Sequence, residues 1–229
     1  MIYGKDEYAE KWNNSANLLF DNGIYEWVTE PLEAYGKVLE IGCGTGQSTF
    51  VLVAKDHTVF AIDKNQKCIE KCKSFIEGND FSVEEITIDQ PITYRDSDVT
   101  LLNMDCLDEN SLLLNYLNPD VIILWNPGGW NACQGNLEDA ENRQLQMIDA
   151  VIEFAKSKNI PLSILNRFEN LSNAQDFWCE IAEDGSYELV KTDHIEVDES
   201  EINGVPLLGN DGKINKPIYS YGFFAKFTE

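Results

Sequence analysis

Apolar residues along the chain follow two alternating patterns, short continuous runs and longer stretches with helical spacing. The short runs predict strands, which we place at residues 37–41, 58–62, 99–103, 120–125, 161–168, 187–192 and 217–227. The longer stretches carry apolar residues every three or four positions and predict helices at about residues 5–30, 47–55, 65–77, 136–158 and 172–182. Residues 80–97 are less regular and predict an extra strand or hairpin.

The alternation of strands and helices predicts an α/β fold. Short buried strands joined through helices form a mostly parallel sheet that is covered by helices on both faces. No helix separates the last two strands, so the chain is expected to end in a strand pair. We find no internal repeat, low-complexity tract or linker, and therefore predict a single domain over residues 1–229.

The charge balance narrows the range of partners. Seventeen Lys+Arg against 40 Asp+Glu give a formal net charge of −23. This balance argues against broad binding to the backbone of a nucleic acid and against an anionic membrane surface. Ten of the acids lie within residues 176–201 beside one basic residue, Lys191, and we interpret that segment as a solvated face.

Several other classes are disfavoured by the residues themselves. No apolar run reaches the ~18 residues of a membrane-spanning helix, and the first residues lack a signal pattern. The six cysteines form no C-x-x-C pair, so we expect reduced thiols in a cytoplasmic protein. The two histidines, His57 and His194, have no metal-ligand spacing, and we expect no metal.

The most specific motif is a glycine cluster after the first strand, in residues 38–47, Val-Leu-Glu-Ile-Gly-Cys-Gly-Thr-Gly-Gln. Its glycines allow a tight turn whose backbone N–H groups approach a ligand closely. Their spacing is G-x-G-x-G, and Gln47 stands where a dinucleotide fingerprint has its third glycine. The G-x-x-x-x-G-K-[ST] phosphate loop is also absent. An acidic residue, Glu40, ahead of the glycines suits a ligand with a cationic amino-acid end.

This segment resembles the first motif of the class I, Rossmann-like S-adenosylmethionine-dependent methyltransferases, E/D-x-G-x-G-x-G. Asp63 closes the second strand like the acid that holds both ribose hydroxyls in that family, and Asp105 resembles the acid that accepts from the adenine amino group. The resemblance covers about residues 35–227 and implies a seven-stranded sheet with an antiparallel last strand. It also implies an N-terminal helical lid over residues 1–34 and a core over residues 35–229 with a candidate insertion at 193–216.

The resemblance implies a set of cofactor-binding residues with one common position, at or just after the strand ends. The set is Glu40, Gly42, Cys43, Gly44, Gly46, Asp63, Lys64, Asp105, Cys106 and Asn126. Three of these roles have a purely structural alternative. Glu40 could pair with a lysine, Asp63 could cap the next helix, and Asp105 could be a solvated loop acid. The two cysteines fit best as small residues that contact the ligand through their backbone.

The acceptor site is expected at the end of the fourth strand, in residues 126–130, Asn-Pro-Gly-Gly-Trp. These residues partly resemble the (D/N)-P-P-(Y/F) motif of amino-group methyltransferases, but glycines replace the second proline and the aromatic residue. Our hypothesis is that Asn126 orients the acceptor, and the alternative is a simple turn. Further candidate substrate contacts are Tyr8, Trp12, Trp130 and Arg167, for which core packing or a structural ion pair is the alternative.

These inferences predict an S-adenosylmethionine-dependent methyltransferase that acts on a small-molecule acceptor and releases S-adenosylhomocysteine. A protein or peptide methyltransferase and an amino-group methyltransferase for a nucleobase are the enzymatic alternatives. A non-catalytic sensor or partner subunit that binds S-adenosylmethionine is the alternative from another class. The charge favours neutral or cationic acceptors if the acidic stretch flanks the opening, and the oligomeric state is left open.

Overall fold

The fold is an eight-stranded sheet with helices packed around it. The structure is a computed structural model, which describes residues 4–126, 137–168, 172, 174, 176, 187–197 and 218–227. The strands are β1 (Lys37–Ile41), β2 (Thr58–Asp63), β3 (Val83–Ile86), β4 (Val99–Asn103), β5 (Val121–Trp125), β6 (Leu162–Phe168), β7 (Tyr187–Val197) and β8 (Ile218–Phe227). The helices are α1 (Lys5–Asp21), α2 (Ile24–Thr29), α3 (Gln47–Val53), α4 (Gln66–Glu77) and α5 (Leu137–Lys158), with short 3-10 helices at Glu30–Leu32 and Glu109–Tyr116.

The order of the strands is β3-β4-β2-β1-β5-β6-β8-β7. The first six pair in parallel, whereas β8 is antiparallel to both β6 and β7. The predicted fold class is therefore confirmed, including the antiparallel last strand. The seven predicted strands are all present, and β3 adds an eighth at the edge, in the segment for which the sequence indicated an extra strand or hairpin.

The sheet separates two apolar layers. Val121–Trp125 is buried along its whole length, as expected for a central strand that is covered on both faces. Leu39 and Ile41 point into the layer that includes α5, and Val38 points into the layer that includes α2, α3 and α4. The parallel strands are thus held rigidly, and their carboxyl ends all lie at one edge.

The single helix predicted over residues 5–30 is divided in two, so this prediction was wrong in its extent. Gly23 adopts φ +69° and opens α2, while the backbone and side-chain amides of Asn22 both donate to the Leu18 carbonyl, at 3.1 and 2.8 Å. A left-handed residue ends an α-helix, and glycine adopts that conformation without steric cost. The break sends α2 against the sheet and leaves α1 near the carboxyl ends of the strands.

The remaining boundaries bear on the site. Asn65 caps α4 by accepting from Lys67 N at 3.0 Å, and Gly78 ends the helix. β7 continues to Val197, beyond residue 193 where the sequence placed the start of an insertion, and residues 198–217 lie outside the described part of the chain. Most of the helix predicted at 172–182 also lies outside it. Among the described helices, none has the length and apolar character required to cross a bilayer.

Candidate functional site

A cavity of about 850 Å³ opens at the carboxyl ends of β1, β2, β4 and β5. Its size falls in the range of small-molecule and cofactor sites, roughly 300–1,000 Å³. The walls carry most of the polar groups and come from the turns that follow the strands and from α1 and α5. Apolar side chains form the floor, namely Ile41, Ile62, Leu102, Leu124 and Met147. The cavity therefore lies where a mostly parallel sheet places its ligands.

The glycine turn after β1 requires glycine at three positions. Gly42, Gly44 and Gly46 have φ values of +83°, +53° and +98°, in the left-handed region that other residues rarely adopt. The amides of Gly42 and Cys43 both donate to the Ile62 carbonyl, at 2.8 and 3.0 Å, which fixes the turn to β2. Gly42 and Gly44 line the cavity.

The other two predicted residues of the turn support it from behind. A Cβ atom at Gly46 would lie 2.9 Å from Cα of Cys72 on α4, so this glycine allows close contact between the turn and the helix. Cys43 is fully buried, and a hydrogen bond with Cys72, together with burial, raises the pKa of its thiol well above the ordinary value. Neither residue is among those that line the cavity.

Asp63, at the end of β2, is held by two backbone donors. Its Oδ2 accepts from Gly44 N at 3.0 Å and its Oδ1 accepts from Asn65 N at 2.8 Å. Burial raises the pKa of the carboxyl group, although both hydrogen bonds oppose that shift. Each carboxylate oxygen has a second lone pair, so Asp63 can still accept from a ligand in the cavity.

Glu40 lies inside the protein and does not line the cavity. Its Oε1 accepts from Ser48 Oγ at 2.5 Å and its Oε2 accepts from Thr49 Oγ1 at 2.6 Å, so the carboxyl joins β1 to α3. Burial raises the pKa of Glu40 to about 7. The structure thus gives this carboxyl two hydroxyl partners, rather than the lysine considered from the sequence.

The loop after β4 brings Asp105 and Cys106 to the cavity, and Lys64, which directly follows β2, lines it as well. Asp105 Oδ1 accepts from Leu107 N at 3.0 Å, and its Oδ2 accepts from Nη2 of Arg143 on α5. Burial, the largest cause, raises the pKa of the Cys106 thiol to about 12, which does not suit a nucleophile. The sequence analysis missed Arg143, whose only signal was a lone arginine beside the apolar stripe of a helix, where such residues are common.

Helix α1 lies over the glycine turn and brings Tyr8 and Trp12 to the cavity. Trp12 is buried against Gly44, at which an added Cβ would overlap the indole nitrogen. The Arg167 guanidinium lies 5.6 Å from the centroid of the Trp12 ring, within cation–π distance. Burial raises the pKa of Tyr8 strongly, so its hydroxyl stays protonated. The structure therefore brings Tyr8, Trp12 and Arg167 together, whereas Trp130 lies outside the described residues.

Gln47 fastens α1 to the turn and was not predicted as a site residue. Its Nε2 donates to Asn17 Oδ1 at 2.7 Å and to Asn13 Oδ1 at 3.1 Å, and its Oε1 accepts from Thr45 Oγ1 at 2.7 Å. The residue that departs from the dinucleotide fingerprint is thus the one that holds the N-terminal helix. The sequence showed the departure but not its partners, which lie 30 and 34 residues earlier.

Asn126 ends β5 in a strained conformation and lines the cavity. Its φ is +52°, its backbone amide donates to the Leu165 carbonyl at 2.6 Å, and the residue is 7% exposed. Neither Oδ1 nor Nδ2 has a hydrogen-bond partner among the described residues. A buried amide without partners is costly, and strained polar residues cluster at functional sites. Asn126 therefore has both a donor and an acceptor available for a ligand.

The strand ends bring together a left-handed glycine turn, two carboxylates on neighbouring strands, and a buried amide at the central strand. Within a mostly parallel sheet that ends in an antiparallel strand, these features define a class I, Rossmann-like methyltransferase that depends on S-adenosylmethionine. The chain belongs to the family of the tellurite resistance protein TehB, whose family model matches residues 4–133.

Solved methyltransferase structures share the fold at low sequence identity. A Pyrococcus horikoshii protein proposed to be an RNA methyltransferase aligns with a TM-score of 0.57 and 10% identity, over 90% of this chain and 82% of its own. The delta-N METTL16 methyltransferase domain aligns with a TM-score of 0.55 and 16% identity, over 92% of this chain and 83% of its own.

Magnesium protoporphyrin IX methyltransferase from Synechocystis, solved with bound S-adenosylmethionine, aligns with a TM-score of 0.53 and 13% identity, over 96% of this chain and 84% of its own. At these identities the likeness shows the fold alone, and the acceptors named for these proteins differ. A search of curated proteins gives no significant match.

Proposed function

We propose that the chain transfers the methyl group of S-adenosylmethionine to a small-molecule acceptor and releases S-adenosylhomocysteine. The observation that carries this proposal is the buried amide of Asn126, which has no partner among the described residues and lines the same cavity as the glycine turn and Asp63. A site that serves only to hold a cofactor has no need of a strained, unpartnered amide beside it, whereas an enzyme must also orient an acceptor.

The described residues fit the cofactor in their chemistry. Asp63 would accept from both ribose hydroxyls and Asp105 from the adenine amino group, because each carboxylate keeps free lone pairs. No atom of the described residues beyond the chain neighbours lies within 4 Å of a Cβ position at Gly42, so this part of the turn leaves room for the amino-acid end of the ligand. Lys64 and Cys106 complete the wall between the two acids, and the apolar floor suits a purine ring.

We assign the acceptor end to Asn126, Tyr8 and Trp12, which line the cavity, with the Arg167 guanidinium against the Trp12 ring. Trp12 of α1 packs against Gly44 and lines the cavity with Tyr8, and a cavity of about 850 Å³ suits a small acceptor. The net charge of −23 weighs against a nucleic acid. Asn126 would orient the acceptor through its free amide, and Asn126 also borders the expected position of the cofactor.

Methyl transfer requires little of the protein beyond the correct positioning of the cofactor and the acceptor. Bound S-adenosylmethionine would supply an electrophilic methyl group on a sulfonium, for transfer to a nucleophilic acceptor with S-adenosylhomocysteine as the leaving group. Asn126 and the aromatic side chains of α1 would hold the acceptor in line with that group and keep water away from it. Methyl transfer of this kind does not require a metal ion, and the proposal includes none.

Calorimetric titration with S-adenosylmethionine and S-adenosylhomocysteine tests the cofactor half of the proposal. We expect binding in the micromolar range. An absence of binding up to millimolar ligand would overturn the proposed function. A variant with the ribose acceptor removed, Asp63→Ala, should bind at least about tenfold more weakly, since a carboxylate hydrogen bond contributes about 1.5–3 kcal/mol.

Methyl transfer from labelled donor into a cell extract, fractionated by size, tests the acceptor half. Label in the small-molecule fraction supports the proposal. Label in the protein or nucleic-acid fraction would show that the acceptor belongs to that class instead. Pure candidate acceptors should also be assayed, and tellurite should be among them because the family's name mentions it. Donor binding without any incorporation would favour a non-catalytic sensor.

A further inference from the structure

The adenine end of the cavity contains an ion pair between two elements that are distant in sequence. Nη2 of Arg143 on α5 contacts Oδ2 of Asp105 in the loop after β4. Their side chains are 25% and 28% exposed, so the pair is largely screened from solvent, and both residues line the cavity. An ion pair on a cavity wall is exposed to any ligand that enters there.

The two cavity carboxylates are held in different ways. Among the described residues, the Asp63 side chain accepts from backbone amides, those of Gly44 and Asn65, which are fixed by the glycine turn and the start of α4. Asp105 accepts from one backbone amide, that of Leu107, and its second donor is the side chain of Arg143. The orientation of the Asp105 carboxylate therefore depends on a side chain from another element.

Helix α5 is well placed to supply that donor. Met147, one turn after Arg143, lines the same cavity, and Gln144 Nε2 donates to Asn166 Oδ1 at 3.2 Å at the end of β6. The positive charge of Arg143 also contributes, after burial, to a lowered pKa of Lys64, so the two cations face the same space. The helix thus spans the cavity from the end of β6 to the loop after β4.

We propose that Arg143 is a positioning residue, which fixes the Asp105 carboxylate as the acceptor for the amino group of the adenine in bound S-adenosylmethionine. This inference rests on the proposed function and assigns a role to a residue that the sequence pattern did not indicate. A carboxylate that is already oriented loses less conformational freedom on binding, which strengthens the complex. It also rejects a purine with an oxygen in place of the amino group, because two acceptors would then face each other.

The test compares two ligands that differ in this group, S-adenosylhomocysteine and its 6-oxo analogue S-inosylhomocysteine, by calorimetry. The wild-type protein should prefer the amino compound. Arg143→Met should weaken binding of S-adenosylhomocysteine by about tenfold, the effect of one charge-assisted hydrogen bond, and should weaken the 6-oxo analogue much less. Arg143→Lys keeps the positive charge and a hydrogen-bond donor. It should therefore retain part of the preference for the amino compound that Arg143→Met loses.

Two further variants separate positioning from a structural role. Arg95→Met removes an arginine of similar exposure, 22%, whose Nε lies 3.4 Å from Glu84 Oε1, and it should leave both affinities unchanged. In an Asp105→Asn background, Arg143→Met should have no further effect on the preference. Thermal unfolding of each variant checks that it is folded.

The outcomes distinguish this inference from the proposed function. If Arg143→Met weakens both ligands equally, or keeps the wild-type preference, the inference is overturned while the cofactor assignment stands. If the wild-type protein binds neither ligand, the proposed function fails and the inference with it.

Discussion

The indole of Trp12 lies directly against the Cα of Gly44, so the N-terminal helix and the glycine turn touch with no room for a side chain between them. A Cβ atom at Gly44 would overlap the indole nitrogen and lie 2.8 Å from Cδ1 of Trp12. Gly44→Ala should therefore displace α1 from the turn, in addition to the strain of φ +53°. We expect a loss of more than about 2 kcal/mol in the free energy of unfolding, measured with urea.

Gly42→Ala is the matched control for this variant. Gly42 also has a positive φ, +83°, but in the described part of the chain no atom beyond its chain neighbours lies within 4 Å of its Cβ position. Gly42→Ala should lose only the free energy of unfolding that the backbone strain costs, about 1–2 kcal/mol. Trp12→Phe replaces the indole with a smaller ring. Combined with Gly44→Ala, it should recover part of the lost free energy of unfolding. Combined with Gly42→Ala, it should recover none. Equal losses in the two alanine variants would contradict a role for the Trp12 contact.

The order of the elements could be predicted from the sequence because each buried strand is a local signal. The run at Val121–Trp125 and the glycines after β1 carry their structure in a few adjacent residues. The same is true of the acids at strand ends, Asp63 and Asp105, because parallel strands bring their carboxyl ends to one edge. Their proximity to the cavity follows from topology alone.

What the sequence could not reveal depends on partners far along the chain. Gln47 looked like a departure from a fingerprint, yet its amide is bound by Asn13 and Asn17 on α1. Arg143 meets Asp105 across 38 residues. Glu40 belonged to the recognised motif, but strand alternation turns it away from the cavity and towards hydroxyls of α3. Such pairings depend on how the helices pack, which no local pattern encodes.

Removal of the Asn126 amide should separate turnover from cofactor binding. We expect Asn126→Ala to lower kcat by at least about tenfold, because the acceptor is no longer oriented, with little change in the dissociation constant of S-adenosylmethionine. Steady-state kinetics with the identified acceptor and calorimetry with the cofactor provide the two quantities. Equal losses in both would rule out the acceptor role.

Strain at this position needs its own control, since φ at Asn126 is +52°. Asn126→Gly deletes the same amide, and glycine adopts this conformation without cost. If the amide orients the acceptor, the glycine and alanine variants should lose similar turnover, whereas the alanine variant alone should lose stability. A glycine variant with wild-type turnover would indicate that backbone geometry, and not the amide, matters at this site.

The buried carboxyl of Glu40 should give the protein a distinctive dependence of stability on pH. Its pKa is about 7 in the folded protein against an ordinary value of 4.5, so the folded state binds the proton more tightly than the unfolded state does. The stability from this group is fully present below pH 4.5 and is lost as the pH rises through about 7. The shift corresponds to about 3 kcal/mol at most.

Glu40→Gln cannot lose a proton, so it should remove that part of the dependence. We expect the free energy of unfolding of the variant, relative to the wild-type protein, to increase between pH 5 and about pH 7 and to level off at higher pH in urea titrations. Glu77→Gln, which replaces an exposed carboxyl at the end of α4, is the control for the loss of one acidic side chain at the surface. A Glu40→Gln curve parallel to the wild-type curve would contradict a raised pKa at this carboxyl.

The amide of Gln47 should control how firmly α1 covers the cavity. Its Nε2 donates to Asn13 and Asn17 while the residue is 2% exposed, and loss of a hydrogen bond of about 1 kcal/mol speeds local opening about fivefold. Gln47→Met keeps the length of the side chain but removes both donors. Backbone amides in Lys5–Asp21 should then exchange at least about fivefold faster with deuterium, and S-adenosylhomocysteine should bind more weakly, if α1 acts as the lid.

Binding of the ligand gives the complementary measurement. In the wild-type protein, S-adenosylhomocysteine should slow exchange in Lys5–Asp21, because a lid closes on what it covers. In Gln47→Met, that protection should be reduced. Gln90 is exposed and its side chain accepts from Thr87 N at 2.8 Å, so its replacement by Met should have no effect on α1. Unchanged exchange in α1 on ligand binding would show that this helix is a fixed wall of the cavity, and the role of Trp12 would then be to pack against Gly44 alone.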